Sequence, residues 1–172
     1  MINEAALTRP DLLAGRSPRT LNMSRLGEIL TDTDPPVRAI IMWNVNPLVS
    51  VPNAELIKRG MVRNDLLTIV HEQFMTDTAK YADYVFPATT QIESADITPS
   101  WGHLYLGWNE PAIDPLGESV SNPEFFRRLS AAMGLTEASL FDDDLTMLRD
   151  TLVNVDLDLS LIHISEPTRQ IR

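Results

Sequence analysis

The chain contains no cysteine, which excludes disulfides, zinc–thiolate sites and iron–sulfur ligation within its 172 residues. That absence is compatible with the cytoplasm and suits it better than the periplasm. The glycine-rich dinucleotide fingerprint is missing, and so is the P-loop, which disfavours an ordinary nicotinamide or ATP site. No apolar run approaches the roughly 20 residues that a bilayer span needs. The opening MINEAALTRPDLL carries two acids and a proline where a signal segment would carry cations and an apolar stretch. Positive charge is in short supply: 14 Lys and Arg stand against 24 Asp and Glu, a formal net charge of −10. A nucleic-acid groove and an anionic membrane surface are therefore not expected partners. The one acidic run, Asp142 to Asp144, reads as a solvated helix start.

What is present is a globular composition, with 44% hydrophobic residues, and a length that suits one domain with a real core. Residues 1–20 hold Pro10, Gly15 and Pro18 with little periodicity and read as a loop or an edge. Leu26, Ile29 and Leu30 predict a helix over Met23–Leu30, broken by TDTDPP. VRAIIMW, residues 37–43, reads as a strand buried on both faces. NVNPLVSVPN reads as a loop, and Asn53 as the cap of a helix AELIKRGMV that Gly60 weakens or ends. LLTIV and YVF are further strands, separated by a short helix TDTAKYA capped by Thr76. Strand, helix, strand, helix, strand predicts parallel crossovers and an α/β sheet covered on both faces. Beyond it, HLYLGW is a short strand. Asn122 and Pro123 open an amphipathic helix that Gly134 stops, and a last helix covers Asp143–Val153.

In an open parallel sheet, ligands bind beyond the carboxyl ends of the strands. NVNPLVS, HEQFMT and PATTQIE end there, bringing Asn44, Asn46, Ser50, Glu72, Gln73, Thr76, Thr89, Thr90, Gln91 and Glu93. A carboxylate there can accept from sugar hydroxyls or purine N–H groups, and asparagines match donors and acceptors alike. Free amides at the Thr76 helix start can hold phosphate oxygens. The bland alternatives stand beside this reading. NVNP is also a plain turn, and Glu72 alone is more often a solvated carboxylate. Asp83 either touches ligand or braces the turn before the third strand. His71 and His103 have no partners at metal-ligand spacing. Trp43, Trp101 and Trp108 read as core or interface residues.

Read together, WNVNPLVSVPN, HEQFMTDTAKYADYVFPATTQIE and the downstream PAIDPLGES and PEFFRRLSAAMGL resemble the molybdopterin oxidoreductases. This is the family of the dimethyl sulfoxide reductases and formate dehydrogenases, which carry a bis-molybdopterin guanine dinucleotide cofactor with molybdenum. The resemblance covers roughly Leu21 to Leu135. It implies a Rossmann-like three-layer α/β domain with a central parallel sheet, an incomplete fragment of the parent enzyme that holds one guanine dinucleotide. Asn44, Asn46, Pro47, Ser50, Glu72, Gln73, Thr76, Thr78 and Asp83 are the cofactor-binding residues it implies. Glu72 stands where the family usually has Asp, one methylene longer. None of these residues does the redox step, because the molybdenum ligand lies upstream in the family. The expected partners are the remaining domains of the parent and an electron-transfer protein.

The expected organisation is thus an edge over residues 1–20, a cofactor-binding domain over 21–155, and a tail over 159–172. LSLIHISEPTR, in that tail, resembles the translation of a sequencing adapter, so no site is placed on His163. A stand-alone nucleotide-binding module and an acidic protein-interaction domain are the competing readings.

Overall fold

The structure is a computed structural model, and it describes Leu13, residues 15–99 and 106–144, Thr146, Met147 and Asp150. Trp101, His103, most of the last helix and the tail from Leu159 lie outside these residues. The chain divides into two compact units, residues 18–97 with 109–126, and residues 1–17 with 98–108 and 127–172.

In the first unit, a 3-10 turn over Met23–Arg25 runs into helix α1, Leu26–Asp32. Strand β1, Ala39–Trp43, leads to helix α2, Pro47–Ser50, and helix α3, Ala54–Met61. Strand β2, Leu67–Glu72, a 3-10 turn over Ala79–Tyr81 and strand β3, Tyr84–Pro87, complete the core. The strands stand in the order β1-β2-β3, both pairings are parallel, and the fold is α/β. The register aligns Met42, Val70 and Val85 in one row and Trp43, His71 and Phe86 in the next. Side chains alternate along a strand, so these two rows face opposite sides of the sheet.

The face carrying Met42 and Val70 holds the core. Leu26 and Leu30 from α1, Ile57 and Met61 from α3, and Leu48, Leu66 and Ala79 pack with them. Leu30 and Ile57 are fully buried, each stabilising the fold by about 1.5–3 kcal/mol relative to exposure. Helix α3 begins at Asn53, which adopts a left-handed φ of 63° and accepts from Leu56 N at 3.3 Å, as its sequence position predicted. Gly60 does not end this helix. It lies inside it, opposite Leu30: a Cβ at residue 60 would stand 2.4 Å from Leu30 Cβ. Gly27 of α1 plays the same part toward α3, with Leu56 Cβ at 2.9 Å from an added Cβ. Each helix thus offers a glycine to a leucine of the other, and the axes approach closely.

The other face departs from the sequence reading. A sheet covered on both sides was expected, yet Leu67, Trp43 and Tyr84 are 41%, 46% and 59% exposed. Among the described residues, the ring contacts that cover this face lie at its carboxyl end and come from Phe125 and Phe126 of helix α4. The apolar run in β1 therefore does not mean burial on both sides. Helix α2 is a second difference: NVNPLVS was read as loop throughout, but Pro47 at its first position is pre-set for a helix.

Beyond β3, strands β4, Asp96–Pro99, and β5, Leu106–Asn109, pair as a separate two-stranded sheet, of which the sequence reading had only the second. Helix α4 spans Asn122–Ala132. Its cap is Ser121, one residue earlier than predicted, whose Oγ accepts from Glu124 N at 3.4 Å. In the second unit, Gly134 stops this helix with a φ of 70°. A 3-10 turn follows over Ala138–Leu140. Asp143 opens a helical turn by accepting from Thr146 N at 2.9 Å, and Asp144 pairs with Arg127 at 2.8 Å. Among the described residues no helix is long and apolar enough to cross a membrane.

Candidate functional site

Three parallel strands deliver three turns to one rim, and side-chain hydrogen bonds join those turns. The first tie links the turns after β1 and β2. Asn46, just before Pro47, turns its Oδ1 to Thr78, accepting from Oγ1 at 2.6 Å and from the backbone N at 3.4 Å. Thr78 Oγ1 in turn accepts from Leu48 N at 3.1 Å. Thr78 is fully buried, so this hydroxyl is a lock inside the protein and is not offered to a ligand. Asn46 spends only its oxygen here; its Nδ2 is not engaged by these bonds. Asn44, exposed, holds a left-handed φ of 54°, a conformation asparagine tolerates better than most residues.

The second tie links the turns after β2 and β3. Gln73 Nε2 donates to Thr89 O at 2.9 Å, and Ala88 N donates to Glu72 O at 3.0 Å. Glu72 is half-buried, and its Oε1 accepts from Gln73 N at 2.8 Å, which leaves Oε2 for another donor. Asn44, Asn46 Nδ2 and Glu72 Oε2 are therefore the groups this rim presents, with Gln73, Pro47 and Thr78 supporting them.

Other predicted residues fall elsewhere. Ser50 Oγ donates to Asn46 O at 3.0 Å, within its own turn. Thr76 caps as expected, accepting from Ala79 N at 3.2 Å, but the element it opens is only a three-residue 3-10 turn. The amides of Thr78, Ala79 and Lys80 are all used internally, which leaves Asp77 N as the one amide of this start without a bond among these. Asp83 sits at the opposite, amino-terminal end of the sheet. Its Oδ2 accepts from Thr68 N at 2.7 Å and its own N donates to Thr68 O at 2.9 Å. That geometry fits bracing of the turn, the second of its two sequence readings.

Glu93 closes the loop after β3. Its Oε2 accepts from Thr90 N and Oγ1, both at 2.7 Å, and its Oε1 accepts from Leu116 N at 2.9 Å. The Thr90 bonds first, then that from Leu116, hold its carboxyl below the ordinary glutamate value. A depressed folded pKa contributes stability above the unfolded value, about 4.3, and that stability is lost as pH falls through the folded value. Urea midpoints should therefore favour the parent over Glu93→Gln at neutral pH, with the gap closing on acidification. A gap independent of pH would contradict this.

Under the rim lies an aromatic floor that the sequence reading missed. The row Trp43, His71, Phe86 is capped by α4: Phe125 stacks on His71 at 4.4 Å and meets Phe86 at 5.5 Å, and Phe126 meets Trp43 edge-on at 5.0 Å. The signal existed only in the strand register, which brings the last residues of three strands side by side.

Residues 22–132 match the family model described as molybdopterin oxidoreductase. The chain is 46% identical over 154 residues to the probable oxidoreductase YoaE of Bacillus subtilis strain 168, covering 90% of this chain and 23% of that protein. It is 31% identical over 119 residues to the acetylene hydratase of Syntrophotalea acetylenica, covering 69% of this chain and 16% of that protein. Among solved structures, acetylene hydratase from Pelobacter acetylenicus superposes with a TM-score of 0.68 at 26% identity, over 83% of this chain and 20% of that one. The chain thus spans about a quarter or less of the length of these relatives, and it belongs to the molybdopterin oxidoreductase family.

Proposed function

We propose that this chain is the part of a larger molybdenum enzyme that holds the guanosine end of a molybdopterin guanine dinucleotide. The observation that carries this reading is the pair of ties, Asn46 to Thr78 and Gln73 to Thr89, which make one polar rim from three separate turns. The donor set fits guanosine. Glu72 Oε2 can accept from the N–H groups of the base or from ribose hydroxyls, and the amides of Asn44 and Asn46 can donate to its oxygens and ring nitrogens. It fits the diphosphate poorly, because the amides at the 3-10 turn are already bonded and Lys80 pairs with Asp77 at 2.8 Å. When bound, the cofactor supplies the molybdenum chemistry; these residues orient and hold its nucleotide end. The matched relatives support a shared holding role, since one is named an oxidoreductase and another a hydratase. A segment common to differently named enzymes suits the common cofactor better than either substrate. The remaining domains of the parent are the partners this reading requires, and an electron-transfer protein is a further one it allows.

The test uses the full-length parent enzyme with Asn44→Ala and Glu72→Ala. Each lost hydrogen bond to a buried polar ligand is worth about 1–3 kcal/mol, a weakening of about fivefold to a hundredfold. Molybdenum and acid-released guanine nucleotide per polypeptide should fall together in both variants. Unchanged content in both would overturn the assignment.

A further inference from the structure

His71 occupies the centre of the aromatic floor and is fully buried. Its Nδ1 lies 3.3 Å from Phe86 O, and a carbonyl only accepts, so Nδ1 carries the proton. Nε2 is then a bare acceptor, and it has no partner among the described residues. The ring lies flat on Phe125, with an interplanar angle of 9°. One imidazole thus joins the end of β2 to the end of β3 by a hydrogen bond and to α4 by stacking. We propose that His71 is a positioning residue of the rim, which when neutral pins α4 across the carboxyl ends of β2 and β3 and when protonated releases it.

The charged form has little to hold it. Protonation would turn Nε2 into a second donor in an aromatic enclosure, where it has no partner among the described residues. From β1 the neighbour is Trp43, from β3 the Phe86 carbonyl, and from α4 the Phe125 ring, with Glu124, Arg127 and Arg128 elsewhere on that helix. From β2 itself the adjacent Glu72 carboxylate favours the cation. Burial, the largest influence, outweighs both the Phe86 bond and Glu72 and lowers the His71 pKa below 6.5. The unfolded chain then binds the proton more readily, so the pin loses stability as pH falls from the unfolded value through the folded one. The release would part Phe125 from His71, the residue that directly precedes Glu72 and Gln73, and so link the shape of the rim to pH whatever occupies it.

The experiment is a nitrogen-15 NMR titration of the 172-residue chain, labelled at histidine and tryptophan, over about pH 4 to 8. Expected are the Nδ1–H tautomer at neutral pH, a His71 midpoint below 6.5, and a shift of the Trp43 indole signal with the same midpoint. In His71→Phe, which keeps a stacking ring and cannot titrate, the Trp43 shift should vanish. A midpoint at or above 6.5, an Nε2–H tautomer, or an unchanged Trp43 transition in His71→Phe would overturn the proposal. Should that variant fail to fold, the titration of the parent chain decides alone. No cofactor enters the measurement, so its outcome is separate from that of the nucleotide assignment.

Discussion

Gly60→Ala is expected to destabilise the fold by about 2 kcal/mol, although alanine is the better helix former by about 1 kcal/mol. The new methyl would lie 2.4 Å from Leu30 Cβ, an atom fixed to the α1 backbone that cannot rotate aside. Relief requires α1 and α3 to move apart, and that loosens Leu30 and Ile57, the most buried apolar side chains of the core. Overpacking of this kind costs about 1–3 kcal/mol and more where backbone must shift, so the clash outweighs the propensity gain. Gly27→Ala should follow the same direction with a smaller loss, because its added Cβ would meet Leu56 Cβ at 2.9 Å and that helix has less far to move. Urea denaturation midpoints order the three proteins. A Gly60→Ala midpoint equal to or above the parent's would mean that the close helix approach is not needed.

The second large effect belongs to Thr78→Val. Valine fills the same volume but takes away the hydroxyl that donates to Asn46 Oδ1 and accepts from Leu48 N. Leu48 N loses its partner and Asn46 Oδ1 keeps only the 3.4 Å bond from Thr78 N, at a fully buried position, for a loss of about 2–4 kcal/mol. Thr78→Ser, which keeps the hydroxyl, should recover most of it. Thr76→Val removes a cap at a half-buried position and should cost less, about 1 kcal/mol. If Thr78→Val and Thr76→Val lowered the denaturation midpoint equally, the lock would not be what joins the first two turns.

Much of this was legible in the residues themselves. VRAIIMW, LLTIV and YVF announced three strands because β-branched runs of that length between turn residues have few other uses. The polar turns after them announced a rim, and the motif around Glu72 announced the family. What the sequence hid depended on neighbours distant in the chain. Gly60 reads as a helix breaker until Leu30 is set against it. Thr78 reads as a ligand contact until Asn46 and Leu48 are found on its hydroxyl, 32 and 30 residues away. Asp83 left two readings open, and only the pairing of β2 with β3 places it at Thr68, across the sheet from the rim. His71 looked idle because its partners, Phe86 and Phe125, come from two other elements.

Among the described residues, the sheet stops at β1 on one side and at β3 on the other. Both borders point backbone donors and acceptors outward, as any terminal strand does. At the β3 border one addition has already begun: Val120 forms a single parallel bridge with Ala88, donating to Pro87 O at 3.2 Å and accepting from Thr89 N at 3.1 Å. Because the pairing is parallel, every further strand docking there would bring its own trailing turn to the same edge, about 4.8 Å along from the last. The rim of this architecture therefore grows in breadth, like a keyboard gaining keys, above the aromatic row beneath.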